Sequence, residues 1–327
     1  MAKPDDDHYE RVVKYLIEGT VVPLLGAGVN MCGRPESASW SEDAHYLPDG
    51  RDLARYLAEY FRYPYSDPKD LNLARVSQYG AVMDGSGPLY KALQRLFTGQ
   101  YESTAVHRFL AALPGALEGA GHRRACQLIV TTNYDDALES AFRDEGEDFD
   151  LVTYMADGRH RGRFVHVPAG AEEPEVIDKP NQYVAFPIDE RGDLERTVIL
   201  KIHGAVDRNA QATWSSYVIT EDHYIEYLSR SELSNLVPAA LLSKMMESHF
   251  LFLGYSMRDW NLRVLLHRIW GEQPLSYKSW AVQLQPDKLD EEFWEKRGVD
   301  ILDAPIDEYM AGLEHSLGAG APAPTGQ

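Results

Sequence analysis

Four short hydrophobic runs, far apart in the chain, each end in glycine or in small polar residues. They are VVPLLGAGVN (21–30), IVTTNYDDAL (129–138), VILKIHGAVD (198–207) and FLFLGYSMRD (250–259). Uninterrupted apolar runs of this length are typical of strands buried on both faces, as in a parallel sheet covered by helices. Because the carboxyl ends of parallel strands meet at one edge, the residues that follow these runs are expected to converge in a nucleotide site.

Helical periodicity between the runs supports an α/β fold with a mainly parallel sheet that is flanked by helices. Four helices are predicted between the first and second runs, at 51–63, 71–83, 88–97 and 104–113. This helical block, about 51–113, is predicted to be an insertion between the first and second core strands, or a lid.

A loop-rich excursion is predicted between the second and third runs, at about 146–195. It is rich in glycine, proline and charged residues, with short β-like pieces at DLVTY (150–154) and QYVAF (182–186). We predict a single domain over 1–316 and a disordered, low-complexity tail at 317–327.

The charge balance argues against direct nucleic-acid binding. The chain of 327 residues carries a formal net charge of −19, and such a field repels phosphate backbones. The densest basic stretch contains Arg159, Arg161 and Arg163, and it is more typical of a solvated loop than of a nucleic-acid patch.

Cysteine usage and the apolar runs indicate the class of protein. The two cysteines, Cys32 and Cys126, cannot form a four-cysteine zinc site, and no CxxC or HExxH motif occurs. No metal is therefore expected. The polar start and the lack of an apolar run of membrane-spanning length predict a soluble, cytoplasmic protein without a membrane partner.

A glycine pair follows the first run at once. Gly26, Ala27 and Gly28 permit a tight turn and let backbone N–H groups approach a pyrophosphate, although a plain strand-to-helix turn has the same pattern. The dinucleotide fingerprint of dehydrogenases needs a third glycine at a fixed spacing, and Asn30 lies in the segment where it is missing.

The second and third runs deliver side chains that can do chemistry. Thr132, Asn133 and Asp135 follow the second run, where Asp135 could also cap the next helix. The amide of Asn133 can bind a ribose hydroxyl or orient a water molecule. His203 follows the third run, directly before a glycine, and histidine suits a general base near neutral pH.

The fourth run ends in FLGYSMRD. Gly254 and Ser256 are predicted to lie where a phosphate or ribose meets the sheet edge, while Asp259 caps the following helix.

Together these motifs resemble a known family. GAG-x-N, TTNYD, K-I-HG and FLGYS-x-x-D, in this order, are similar to the motifs of sirtuin-like domains in bacterial defence proteins. The resemblance spans about residues 10–310 and includes WSSYVITEDHYIEYL (214–228) after the third run. It implies a Rossmann-like sheet that binds NAD+, with Asn133 and His203 on either side of the nicotinamide ribose.

The resemblance also implies roles for the other residues. Those predicted to hold the pyrophosphate and the riboses are Gly26, Ala27, Gly28, Thr132, Gly254 and Ser256. Asn30 and Asp135 are predicted partners near the nicotinamide end.

The departures from sirtuin deacylases separate the possible activities. Those enzymes carry a four-cysteine zinc module after the HG element, whereas no cysteine lies between His203 and Gly254. The GIPDFR stretch of the deacylases has no counterpart, since this chain reads GRPESASW. The pattern is therefore closer to the defence-type domains that hydrolyse NAD+ to nicotinamide and ADP-ribose. The alternatives are an NAD-dependent protein deacylase, a non-catalytic NAD- or nucleotide-sensing module, and a dehydrogenase.

The resemblance further implies regulation by other proteins. An enzyme that destroys NAD+ must be inactive until it is triggered, as in abortive infection against phages. We expect a homo-oligomer, or a partner such as a HerA-like ATPase or an Argonaute-type protein, because no separate sensor domain of about 100 residues is visible.

Overall fold

The protein is described from a computed structural model. The described residues are 3–35, 38–67, 69–171, 173–209, 212–229, 237–270 and 275–319. Of the predicted tail, 317–319 continue the last helix, and 320–327 lie outside the described residues.

The strands form one sheet in the described part of the chain. They are β1 (Val21–Leu25), β2 (Leu128–Thr131), β3 (Phe149–Tyr154), β4 (Phe164–Val167), β5 (Glu175–Ile177), β6 (Thr197–Lys201), β7 (His249–Leu253), β8 (Ser279–Gln283) and β9 (Val299–Asp303). Their order across the sheet is β5-β4-β3-β6-β2-β1-β7-β8-β9. The four runs named above therefore form the four adjacent central strands.

The pairing confirms the prediction of a mainly parallel sheet. All neighbours from β3 to β9 are parallel, whereas β4 and β5 add to the edge in antiparallel fashion. The central strands are buried along their whole length, as their unbroken apolar sequences require.

The helices between these strands follow the predicted alternation. They are α1 (Asp6–Ile17), α2 (Gly50–Tyr60), α3 (Leu73–Asp84), α4 (Ser86–Phe97), α5 (Ala105–Gly119), α6 (Ala137–Glu145), α7 (Glu221–Ser229), α8 (Ala239–Met246), α9 (Trp260–Trp270), α10 (Lys288–Glu295) and α11 (Ile306–Ala319). A short 3-10 helix, Ala27–Met31, directly follows β1.

Two apolar layers cover the sheet because successive side chains of a strand point to opposite faces. In β1, Val22 and Leu24 pack with α8, α9 and α10, while Val21 and Leu25 pack with α1, α5, α6 and α11. The fold is therefore a three-layer, Rossmann-like α/β domain.

A third apolar cluster lies at the carboxyl edge of the sheet. Helices α2, α3 and α4, here called the helical cover, pack with Tyr134 and Ala137 after β2 and with Tyr217 and Ile219 after β6. The last helix of the predicted block, α5, instead packs against the face of the sheet. The insertion thus divides into a cover over the strand ends and a helix of the main layer.

The excursion at 146–195 supplies β3, β4 and β5 to the sheet. The β-like piece predicted at 150–154 lies within β3, whereas β4 and β5 were not predicted. Residues 182–186 form no strand. Tyr183 and Phe186 both contact the His166 ring, at centroid distances of 5.6 and 5.1 Å. Residues three apart in a strand point to opposite faces, so this shared contact requires a turned backbone.

Candidate functional site

The ends of the four central strands meet at one edge, and hydrogen bonds join the segments that follow them. The Gly26 N–H donates to the Leu253 carbonyl (2.9 Å), and the Thr132 N–H donates to the Leu25 carbonyl (3.1 Å). The Ile202 N–H donates to the Thr131 carbonyl (3.1 Å). The structure therefore brings the four sequence motifs together at the carboxyl edge.

Three glycines interlock at the end of β1 and β7. The Gly28 N–H donates to the Gly254 carbonyl over 2.9 Å, and a Cβ on Gly28 would lie 2.6 Å from that same oxygen. A Cβ on Gly26 would lie 2.7 Å from it. Gly254 has a φ of +72°, and a Cβ there would collide with the Val29 nitrogen. These glycines are thus required for close backbone packing, and their contact with a pyrophosphate stays a prediction.

Asn133 lies beside this glycine loop. Its backbone N–H donates to Thr131 Oγ1 (3.0 Å), and its side-chain Nδ2 donates to the Gly26 carbonyl (3.4 Å). The side chain is 8% exposed. No described residue donates a hydrogen bond to its Oδ1, so this oxygen is available to a ligand.

Thr132, directly before Asn133, contacts the segment that follows β7. Its Oγ1 lies 2.8 Å from the hydroxyl of Tyr255, so the end of β2 is tied to the segment after β7. Burial raises the pKa of Tyr255, which keeps the phenol neutral. The sequence did not identify Tyr255 as a site residue, although it lies in the FLGYS motif.

His203 lies next to Asn133 in the sheet register. Thr131 of β2 pairs with Lys201 of β6, and Asn133 and His203 each follow two residues later. The His203 ring contacts Tyr224 and Tyr227 at centroid distances of 5.4 and 5.9 Å. Burial lowers its pKa from 6.5 to about 3, so the imidazole is neutral near physiological pH.

The His203 imidazole makes no hydrogen bond with the residues that the structure describes. Its backbone, by contrast, is fixed: its carbonyl accepts from the Val218 N–H (2.8 Å), and the Tyr134 hydroxyl donates to the Val218 carbonyl (2.7 Å). A histidine held by its backbone and left without polar partners can bind or deprotonate a ligand.

Asn30 is the most buried of the predicted polar site residues after β1, with 4% of its surface exposed. Its Nδ2 donates to the Pro48 carbonyl over 3.4 Å. Its Oδ1 is buried and has no partner among the described residues. Because an unsatisfied buried acceptor is costly, this atom is a candidate for contact with a ligand or water.

Asp135 has a local structural role. Its Oδ1 accepts from the Ala137 N–H (3.1 Å) at the start of α6, and burial raises its pKa. Helix α6 begins at Ala137, two residues after Asp135. Whether Asp135 also contacts the nicotinamide end stays a prediction.

A buried ion pair supports this turn, and the sequence did not reveal it. Lys201 Nζ lies 2.7 Å from Glu139 Oε1, with the two side chains 1% and 3% exposed. The same Nζ donates to the Asp135 carbonyl. The lysine in the K-I-HG motif was the available signal, because a lysine inside an apolar strand needs an acidic partner.

Ser256 is exposed, unlike the other predicted residues. Its Oγ accepts from the Arg258 N–H (3.4 Å), and its carbonyl accepts from the Asp259 N–H (2.8 Å). Asp259 Oδ1 accepts from the Asn261 N–H (2.9 Å), which caps α9 as predicted. The exposed hydroxyl is free to meet a ligand that enters from solvent.

Within the described ranges, no group of three or more His, Cys, Asp or Glu side chains is placed to hold a metal ion, and Cys32 and Cys126 are free thiols. No described helix is both long enough and apolar enough to span a membrane.

Comparison with known proteins supports the resemblance. The NAD(+) hydrolase ThsA of Cytobacillus dafuensis is 22% identical over 201 residues, which are 62% of this chain and 31% of that protein. The chain thus matches about a third of the length of that relative. Residues 127–302, more than half of the chain, match the SIR2-like domain. The chain therefore belongs to the family of SIR2-like domains.

Proposed function

We propose that the protein hydrolyses NAD+ to nicotinamide and ADP-ribose. The observation that carries this proposal is the pair formed by Asn133 and His203. They stand at equivalent positions beyond two adjacent strands, and each offers a polar atom that no described residue engages. The named activity of the relative ThsA supports the same reaction.

The reaction breaks the N-glycosidic bond between nicotinamide and ribose through an oxocarbenium-like transition state. Nicotinamide leaves as a neutral group, so the protein needs no strong general acid. It must hold the ribose, admit one water molecule and stabilise positive charge at C1′. A neutral carboxamide and a neutral imidazole fit these needs, because neither repels the developing cation.

Each of the two residues has a distinct proposed role. Asn133 Oδ1 accepts a hydrogen bond from the attacking water or from a ribose hydroxyl. His203 accepts a hydrogen bond, or the proton, from the same water or hydroxyl, and its lowered pKa leaves the imidazole neutral with a lone pair for this contact. Asn30 Oδ1 accepts a hydrogen bond from the nicotinamide end. The remaining contacts are made by the loop and strand-end residues, which are Gly26, Ala27, Gly28, Thr132, Gly254 and Ser256.

The biological setting is proposed from the family. An enzyme of this kind depletes cytoplasmic NAD+ during phage infection and is released from inhibition by a trigger. Activation by assembly, as a homo-oligomer or with a HerA-like ATPase or Argonaute-type partner, is proposed from the resemblance to defence-type domains.

The direct test incubates the purified protein with NAD+ and identifies the products by mass. We expect equimolar nicotinamide and ADP-ribose, and the same mixture with an acyl-lysine peptide should leave the acyl group in place. Cyclic ADP-ribose as the main product would change the proposed chemistry. Deacylated peptide, or intact NAD+ under every oligomeric state tested, would contradict the proposal.

A further inference from the structure

A groove of about 450 Å³ lies on the outside of the helical cover, between α2, α4 and the loop before α2. None of the residues predicted to bind NAD+ lines it. The volume lies within the range of sites that hold a small ligand or one large side chain. The groove is therefore a second concave surface, separate from the strand-end site.

Aromatic rings form its walls. The Trp40 and Tyr56 rings meet edge to face at a centroid distance of 5.9 Å, and Tyr60 follows at 6.2 Å from Tyr56. Trp40 Nε1 donates to the Tyr46 carbonyl (3.0 Å), which fixes the indole. Tyr60 is 46% exposed, so one wall presents its ring to solvent.

Most of the charged side chains in the groove form ion pairs with one another. Asp52 Oδ2 lies 2.6 Å from Arg34 Nη1, and its Oδ1 lies 3.3 Å from Arg55 Nη1. Glu42 pairs with Arg95. The arginines at the groove thus have carboxylate partners already.

Glu59, which also lines the groove, is exposed and pairs with no described residue. An unpaired carboxylate beside aromatic faces attracts a cation, because the faces of aromatic rings carry negative electrostatic potential. Among the residues that line the groove, Glu59 is therefore the carboxylate that no described arginine engages.

We propose that this groove is a docking site for an arginine side chain from a basic segment of a partner protein. A planar guanidinium can stack on the Tyr60 and Trp40 rings while it donates to Glu59. The net charge of −19 adds long-range attraction for a basic partner. The proposal does not depend on the NAD+ hydrolase reaction.

The groove is also joined to the segment after β1. Arg34, which holds Asp52, follows the 3-10 helix that carries Asn30, and Asn30 donates to Pro48 just before α2. A ligand in the groove would therefore contact the same loop that carries a predicted site residue.

The test uses two short peptides, acetyl-Gly-Arg-Gly-amide and its citrulline counterpart, which keeps the shape and loses the charge. Binding is followed through the indole N–H signal of Trp40, identified by its loss in Trp40→Phe, and through calorimetry. We expect the arginine peptide to shift this signal, and the citrulline peptide to bind about tenfold more weakly.

Variants on the groove surface locate the binding. Glu59→Gln should weaken binding about threefold and Tyr60→Leu about fivefold, with both proteins folded because both side chains are exposed. The matched control is Glu145→Gln, an exposed glutamate at the end of α6, and its affinity should equal that of the unaltered protein.

Several results would overturn the proposal. They are equal affinity for the two peptides, unchanged affinity in both groove variants, or an equal loss in the Glu145→Gln control. Adenosine monophosphate that shifts the Trp40 signal while the arginine peptide does not would assign the groove to a nucleotide instead.

Discussion

Two buried histidines, His166 in β4 and His203 after β6, have opposite surroundings. His166 Nε2 lies 2.9 Å from Asp150 Oδ2, and its Nδ1 lies 2.7 Å from the Tyr183 hydroxyl. Asp150 in turn accepts from Arg196 Nε (3.1 Å). The His203 ring has aromatic contacts with Tyr224 and Tyr227 and no hydrogen bond with a described residue.

The difference separates a structural histidine from a candidate reactive one. Buried polar groups are normally satisfied, and His166 obeys this rule with both ring nitrogens. His203, at the edge where three other motifs converge, has no hydrogen-bond partner among the described residues, and its ring nitrogens are not among the fully buried atoms that lack a partner. Water or a ligand can therefore supply its hydrogen bonds.

The largest predicted effect is the difference in activity between alanine variants of these two histidines. His203→Ala should lower NAD+ turnover by about 100- to 10,000-fold, since it removes a positioned proton acceptor. The matched His166→Ala variant should keep its activity per folded molecule and lose about 2–3 kcal/mol of stability, because Asp150 and Tyr183 lose a partner. Nicotinamide release and urea denaturation measure the two effects. Loss of activity in His166→Ala alone would reverse the roles.

A second prediction concerns the buried ion pair between Lys201 and Glu139. Lys201→Met leaves the Glu139 carboxylate buried without its partner, and it should cost about 3–5 kcal/mol in the free energy of unfolding. The double variant Lys201→Met/Glu139→Leu removes both charges and should recover most of that loss. Urea denaturation at pH 7 measures both, and a double variant less stable than Lys201→Met would refute the pairing.

A third prediction tests whether the glycines of this edge are needed for packing. Gly254→Ala should cost about 2 kcal/mol or more, because its φ of +72° and the Val29 nitrogen leave no space for a Cβ. Gly87→Ala in α4 is the matched control, since a Cβ there meets nothing within 4 Å. Thermal unfolding compares the two variants, which should differ in sign or at least strongly in size.

The last prediction is a pH dependence of stability. Burial lowers the pKa of His203 and His107 to about 3 and that of His8 to about 4. Below pH 6.5 the unfolded chain binds protons that the folded chain does not, so stability falls as the pH drops toward 4. Each histidine contributes a slope of about 1.4 kcal/mol per pH unit at most.

His203→Ala should reduce that slope by one proton between pH 6 and 4.5, as measured by urea denaturation at several pH values. A slope unchanged in His203→Ala would show that the imidazole is not held neutral. In the unaltered enzyme, kcat/KM should show no inflection near pH 6.5 from this residue, because its pKa is about 3.

The fold, and the meeting of the four motifs at one edge of the sheet, could be predicted from the sequence. Apolar runs such as VVPLL and VILK record burial on both faces, and the residue after each run must then lie at the sheet edge. The sequence could not show that Tyr183 and Phe186 both contact His166. Alternation of apolar and polar residues does not by itself distinguish a strand from a loop in which two side chains contact the same residue.

Side-chain partners far apart in sequence were also beyond prediction. Lys201 and Glu139 are 62 residues apart, and nothing in either local motif names the other. The orphan Oδ1 of Asn30 depends on the position of Pro48, and the groove depends on how α2 meets α4. Such features follow from packing between elements, which a pattern along one segment does not encode.

The interlocked glycines have a consequence for affinity. Because Gly26, Gly28 and Gly254 hold one another through backbone contacts, the loop after β1 takes its shape when the chain folds. The conformational entropy of that loop is then lost during folding and not during ligand binding. A dinucleotide would meet a preorganised surface, and substitutions that loosen the three glycines would weaken binding even where no atom of the ligand is touched.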